Sequence, residues 1–219
     1  MRDIKFTNGE FYHIYNRGNN KRPIFQHFFD LQRFFQSMDE FNVQGPIGSI
    51  YVNSFKKDLL SSSTTKSERL VDFVCYCLNH NHYHFLIKQL ADGGITEFMH
   101  KLGSGYTRYF NEKYKLNGGL FQGRFKAIHV DSNDYLLHLS AYINLNNKVH
   151  KLSSSTTKLS KSSWDEYVRP AGSNNFCEKD IISSQFKNAS GYRKFAEDSL
   201  RTIKDKKDLE KSLNLLLSG

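Results

Sequence analysis

The sequence predicts an α+β fold: an antiparallel sheet with helices on one face. Three observations carry that expectation. Runs rich in aromatic and β-branched residues recur at 9–18, 49–57, 69–80, 82–89 and within 117–130, bounded by Gly or Asn turn residues. Stripes at helical spacing fall between them, at 27–43, 96–114 and 131–148. Finally, two of the strand-like runs are separated only by Asn79-His80-Asn81, a spacing that suits a hairpin and therefore antiparallel neighbours.

In chain order, "GEFYHIYNRG" (9–18) reads as a strand ending in a turn at Asn16-Arg17-Gly18, and "NNKRPIFQ" as a basic loop. Phe28, Leu31, Phe35, Met38 and Phe41 give the first helix its apolar stripe. "SIYVNSFKK" (49–57) and "RLVDFVCYCLNH" (69–80) read as strands, and "HYHFLIKQ" (82–89) as the hairpin partner of the latter. From Thr96 to Tyr114 the positions Phe98, Leu102, Gly105 and Tyr109 share a helical face. Gly103 and Gly105 each cost that helix about 1 kcal/mol relative to Ala, so close packing or a break is expected there. "NGGLFQGRFKAIHV" (117–130) is a turn and a further strand. "DSNDYLLHLSAYINLNNK" (131–148) is a helix capped by Asp131 or Ser132. The heptapeptide LSSSTTK occurs at 60–66 and again at 152–158, and both copies read as polar loops. Residues 1–150 form the main domain. Residues 151–219 form an extension with a flexible loop and an amphipathic helix from 200, packed on the body.

The composition narrows the function. A hydrophobic content of 38% with 18 Phe and 12 Tyr argues for a folded chain. The net charge of +9 favours a polyanionic partner, with nucleic acid ahead of a membrane surface. Cys75, Cys77 and Cys177 make neither a disulfide framework nor a zinc site. The N-terminus lacks the apolar core of a signal peptide, and no apolar run reaches the length of a membrane span, so a reduced, cytoplasmic (nucleoid-associated) protein is expected.

The chemistry-bearing pattern is the alternation of His80, His82 and His84. If 79–81 form the turn, His82 and His84 share one face of a strand with Tyr83 opposite, and His80 sits at the turn tip. Two imidazoles so placed can close on one cation. In the helix at 131–148, Tyr142 and Asn146 lie one turn apart. An amide there can complete a site begun by two histidines, and the phenol can reach a group bound to it. The bland alternative is an aromatic stripe in the core with Asn146 as a C-terminal cap. Tyr135, Tyr106 and Tyr109 rival Tyr142 on spacing alone. His138 reads as a helix-surface residue that could reach the Tyr142 phenol.

"YCLNHNHYHFLI" resembles the His-hydrophobic-His motif of single-tyrosine HUH transposases. With "FYHIYNRGNNKRPIF", "YTRYFNEKYKLNGGLFQGRFKAIHVDSNDYLLHLSAYINLNN" and "SSWDEY", the chain looks like the REP-associated tyrosine transposase group over about residues 5–170. The resemblance implies a ferredoxin-like, RRM-like HUH nuclease fold. It also implies His82, His84 and Asn146 as ligands of Mg²⁺ or Mn²⁺, and Tyr142 as the nucleophile of a 5′-phosphotyrosine intermediate. The implied substrate is single-stranded DNA flanking a REP-like hairpin, cut and rejoined by a monomer or a homodimer. A second reading is a domesticated, non-catalytic hairpin binder; a third, a relaxase or replication initiator, would bring a different motif order. The chain departs from the group's pattern in having His80 and Asn147-Lys148 where prolines are usual, which bears on turn rigidity rather than on ligands. Arg17, Lys21 and Arg22 in the first loop, and Arg124 with Lys126 alternating on one face of the last strand, are candidate phosphate contacts.

Overall fold

Antiparallel pairing in the order β4-β1-β3-β2-β5 organises the chain. The structure, a computed structural model, describes residues 4–48, 69–149, 159–169 and 175–202. The strands are β1 (Phe11–Arg17), β2 (Val71–Asn79), β3 (His82–Gln89), β4 (Lys126–Val130) and the two-residue β5 (Lys161–Ser162). The long helices are α1 (Phe28–Glu40), α2 (Gly94–Tyr114) and α3 (Asn133–Asn144). Short helices α4 (Asn146–Val149), α5 (Trp164–Val168) and α6 (Asp180–Ser183) come next, and residues 189–202 are helical (α7). The first four strands with α1 and α2 run β-α-β-β-α-β, and their spatial order 4-1-3-2 is the ferredoxin-like arrangement. The expected strand at 49–57, both LSSSTTK segments and all but the first residues of the helix from 200 lie outside the described residues.

Alternation along the strands separates two cores. Tyr12, Ile14, Phe73, Tyr83, Phe85 and Ile87 face α1 and α2, joining Phe34, Phe98, Tyr106 and Phe110. Val74, Cys75, Cys77 and Leu86 face the other way, against Leu136, Leu139, Ala141 and Ile143 of α3 and Tyr192 and Ala196 of α7. The expectation of helices on one face therefore holds for the ferredoxin-like core alone. The reason is that β2 is apolar on both faces and, with Leu86 of β3, needs a second cover, which α3 supplies.

A register shift between Phe73 and Cys75 sets the facing of the rest of β2. Val74 and Cys75, though consecutive, both turn to the α3 face, as a bulge requires. Every later odd-numbered residue of β2 is thereby switched to that face, including Cys77 and Asn79. The hairpin closes through the two-residue turn His80-Asn81, so Asn79 ends β2 as a strand residue directly opposite His82.

Helix α3 also departs from the sequence expectation. Ser132 caps it, its Oγ accepting from the Tyr135 N–H, but the helix does not run to 148. It stops at Leu145 (φ −106°, ψ 8°), and α4 begins at Asn146. The two glycines of α2 differ as well. A Cβ on Gly105 would stand 2.6 Å from the Phe41 ring, whereas one on Gly103 would meet nothing within 4 Å. The helix is continuous through both. No helix among the described residues is long and apolar enough to cross a membrane.

Candidate metal and nucleophile site

Cross-strand pairing on the α3 face sets two rows of side chains. Asn79, His82 and Arg17 pair in one, and Cys77, His84 and Tyr15 in the next, with Lys126 beyond Tyr15 on β4. Asn81 lies in the turn and its Oδ1, which can only accept, sits 2.7 Å from His82 Nδ1. A proton on Nδ1 satisfies that contact, and in this tautomer Nε2 presents its lone pair. That lone pair accepts from Asn79 Nδ2 at 3.0 Å and lies 3.2 Å from Asn146 Oδ1. The same Asn79 nitrogen donates to Asn146 Oδ1 at 2.8 Å. An imidazole nitrogen and an amide oxygen thus converge, and Asn79 Nδ2 approaches both.

His84 holds the next position on the strand. Its ring centroid is 5.3 Å from that of His82 and 5.6 Å from that of Tyr142. Its Nδ1 is 2.9 Å from Nε2 of His13, which burial depresses to a pKa of about 4, so His13 is neutral at pH 7. Tyr15 stacks on both imidazoles, at 4.8 Å from His13 and 5.7 Å from His84. Tyr142 is half-buried between these groups. Burial pushes its phenol above the ordinary tyrosine value, Cys77 and Tyr15 push the same way, and only the Asn146 amide beside it pulls down.

The structure thus brings His82, His84, Tyr142 and Asn146 of one chain together. The helix break at Leu145 puts Asn146 at the start of a new turn, with its side chain fully buried. Of the rival tyrosines, Tyr135 shares the α3 face and the other two stand elsewhere. Tyr106 is on the other face of the sheet, donating to the Ile24 carbonyl at 2.6 Å, and Tyr109 donates there to Asp30 at 3.1 Å. Tyr135 is two turns, roughly 10 Å, before Tyr142. His138 contacts Ser199 at 3.0 Å and the Phe195 ring, both on α7. His80 stands in the turn, where its carbonyl accepts from the Ile24 and Phe25 N–H groups.

The basic residues scatter more than expected. Arg17 ends β1 opposite His82 and bonds Gln122. Lys21 is exposed in the first loop, with a left-handed backbone (φ 60°). Arg22 instead turns inward, its guanidinium carbon 5.7 Å from the centre of the Phe110 ring. The expected pairing of Arg124 with Lys126 on one strand face does not occur, because β4 begins only at Lys126. Lys126 lies over Tyr15 on the site face. Arg124 lines a cleft of about 1070 Å³ on the α2 face, with Phe6, Tyr83, Met99, Phe121 and Phe125.

Asn79, Asn81 and His13 carry no signal of their own in the sequence. Asn79 could have been found by pairing i with i+3 across a two-residue turn, but only if the bulge upstream were known. Among the described residues no group of three His, Cys, Asp or Glu side chains could hold a metal ion. Any ion here would rest on the mixed set of two imidazoles and an amide. Two members of that set have a suitable spacing: 3.2 Å between His82 Nε2 and Asn146 Oδ1 is about that of adjacent ligands at bond lengths near 2.1 Å.

One face of the ferredoxin-like sheet thus carries paired histidines, a carboxamide and a tyrosine. The family described as "Transposase IS200 like" matches residues 51–146, a span that takes in His82, His84, Tyr142 and Asn146. The resemblance to insertion-sequence tyrosine transposases read from the motifs stands on that match. No curated protein matches. Among solved structures, one titled "Structure of the REP associates tyrosine transposase bound to a REP hairpin" aligns with a TM-score of 0.46 and 12% identity, over 81% of this chain and 93% of that one.

Proposed function

We propose that the protein is a metal-dependent single-stranded DNA transposase that cuts and rejoins strands beside hairpins through a covalent bond to Tyr142. The observation that carries the reading is the convergence of His82 Nε2 and Asn146 Oδ1, 3.2 Å apart, on the strand face where Tyr142 stands against His84. The family match over these residues and the net charge of +9 support it.

The reaction exchanges one phosphodiester for another. The Tyr142 oxygen bonds to phosphorus, the bond from phosphorus to the 3′-oxygen breaks, and the phenolic proton is balanced by the one the 3′-oxygen takes up from solvent. Bond energy is kept in a 5′-phosphotyrosine, which a later 3′-hydroxyl can reclaim. The difficulty is the phenol. At an ordinary pKa near 10 about 0.1% is ionised at neutral pH, a deficit of about 4 kcal/mol, and burial of Tyr142 adds to it. Mg²⁺ or Mn²⁺ held by His82, His84 and Asn146 would supply Lewis-acid polarisation of the phosphate oxygens. The chain's own contribution is orientation. Asn81 fixes the His82 tautomer from behind the ligand nitrogen. Neutral His13 can accept the Nδ1 proton of His84, leaving Nε2 as the coordinating nitrogen. Arg17 and Lys126 flank the two rows and are placed for phosphates.

The test is a covalent-adduct assay with labelled single-stranded hairpin oligonucleotides, with and without Mn²⁺, on denaturing gels. An Mn²⁺-dependent adduct absent from Tyr142→Phe and His82→Ala is expected. An adduct that survives Tyr142→Phe would move the nucleophile to another tyrosine. Tight hairpin binding without any adduct would make the protein a binder rather than an enzyme.

A further inference from the structure

The junction between Tyr142 and Asn146 is held by a buried polar chain that the proposed chemistry does not use. Asn144, the last residue of α3, sits between them in sequence. Its Oδ1 accepts from Ser163 Oγ at 2.6 Å and its Nδ2 donates to the Tyr192 hydroxyl at 2.8 Å. Ser163 Oγ in turn accepts from the Tyr76 N–H of β2 at 2.9 Å, and the Ser163 N–H donates to the Tyr76 carbonyl at 3.0 Å. At the other end, Tyr192 and Ser140 oxygens are 3.1 Å apart, and Ser140 Oγ donates to the Leu137 carbonyl at 2.7 Å.

The shortest of these contacts set one direction. The Ser140 proton is committed to Leu137, so Tyr192 donates to Ser140 and accepts from Asn144. Ser163 Oγ lies 2.6 Å from Asn144 Oδ1 and 3.3 Å from the Tyr76 carbonyl, so its proton goes to the nearer acceptor and Ser163 accepts from the Tyr76 N–H. A single relay therefore runs from the β2 backbone through Ser163, Asn144, Tyr192 and Ser140 to the α3 backbone. Ser140, Asn144 and Ser163 are 0% exposed and Tyr192 is 1%.

Burying four polar side chains is a poor way to gain stability, since an apolar set of the same shape does as well. What the relay adds is direction and register. It ties the end of α3 to Tyr76, three residues before Asn79 on the strand that leads into the histidine hairpin. It does so at the helix break that sets Asn146 against His82. We infer that Ser163 and Tyr192 are positioning residues, fixing through Asn144 the placement of Asn146 and Tyr142 over the histidines. The inference rests on the function proposed above. It also gives a role to the "SSWDEY" stretch: Ser163 cross-links the catalytic helix to the sheet.

The experiment compares wild type, Ser163→Ala, Tyr192→Phe, their double variant and Leu200→Ala by Mn²⁺ affinity from electron paramagnetic resonance, adduct-formation rate and hairpin affinity. Leu200 is a buried apolar residue of the same helix as Tyr192 and packs in the same core, outside the relay. Each relay variant is expected to weaken Mn²⁺ binding about 10-fold or more and to slow adduct formation, with hairpin affinity within about twofold. The double variant should be no worse than the more severe single one, because both act through Asn144. Leu200→Ala should lower thermal stability yet keep Mn²⁺ affinity. Wild-type Mn²⁺ affinity and adduct rate in Tyr192→Phe would overturn the inference, as would equal losses in Leu200→Ala. A wild-type protein that binds no Mn²⁺ and forms no adduct removes the proposed function and this inference together. A wild type that does both while the relay variants match it removes the inference alone.

Discussion

The two faces of the sheet solve opposite problems. Toward α1 and α2 the side chains are aromatic and interlocked: Phe34 alone meets Phe25, Tyr83, Phe85 and Tyr106 at centroid distances of 4.8 to 6.5 Å. The charge buried there, Asp30, is saturated, with Lys113, Tyr109 and Tyr114 on its side and two backbone N–H groups behind. Toward α3 the sheet instead carries His13, His82, His84 and Asn79, whose lone pairs are shared among a few amides and imidazoles. One face is packed to hold the sheet together. The other is also packed, through Val74, Cys75 and Leu86 against α3, but near its hairpin end it keeps ligand-type atoms converged.

The sharpest way to break that contrast is to truncate one large residue on each side. Phe34→Ala is expected to cost about 3–5 kcal/mol of stability by urea denaturation. Tyr142→Phe should change stability by less than about 1 kcal/mol while abolishing the adduct. If Tyr142→Phe destabilised the fold as much as Phe34→Ala, the Tyr142 hydroxyl would serve the fold rather than the site and the division would fail.

Asp30 sharpens it further, since it is a charge placed for stability. Burial raises its carboxyl pKa, but hydrogen bonds from Lys113, Tyr114 and the His27 and Gln26 backbones outweigh that and hold it below the ordinary carboxylate value. A depressed pKa means that the unfolded chain binds the proton more readily. The stabilisation is therefore complete above the unfolded value near 4 and is lost as pH falls through the lower folded value. Asp30→Asn should cost about 2–3 kcal/mol at pH 7. The gap between wild type and variant in urea midpoints should hold from pH 7 to 5 and narrow below pH 4. A gap that stayed constant into strong acid would mean the carboxylate's charge contributes nothing.

How much of the molecule is readable from the chain differs between the faces in the same way. Period-two alternation around residue 83 is enough to put His82 and His84 together, and helical spacing puts Tyr142 near Asn146, because both signals are local. The cover on both faces is not legible: β2 reads as a continuous apolar run, which says buried but not by what. The inward turn of Arg22 and the separation of Arg124 from Lys126 depend on where a strand begins and on which ring lies nearby, and charge patterning carries neither. The Ser163–Asn144–Tyr192 relay joins residues 19 and 48 positions apart, and nothing local marks it.

The smallest expected effects come from two glycines of one helix, which sequence propensity treats alike. Gly103 and Gly105 both sit inside α2, where Ala would be favoured by about 1 kcal/mol on backbone grounds. At Gly105 a methyl would stand 2.6 Å from the Phe41 ring, which is itself buried against the core, so that ring must move. Gly105→Ala should therefore lose about 1–3 kcal/mol despite the better helix former. At Gly103 no atom lies within 4 Å of the added methyl, and the residue faces the cleft that Arg124 lines. Gly103→Ala should gain up to about 1 kcal/mol in thermal unfolding. Opposite signs at two positions so close in one helix would show that the packed face tolerates no added volume where helix meets helix, yet leaves open the wall of its own cleft. Equal losses at both positions would mean that the cleft is narrower in solution than its lining residues describe.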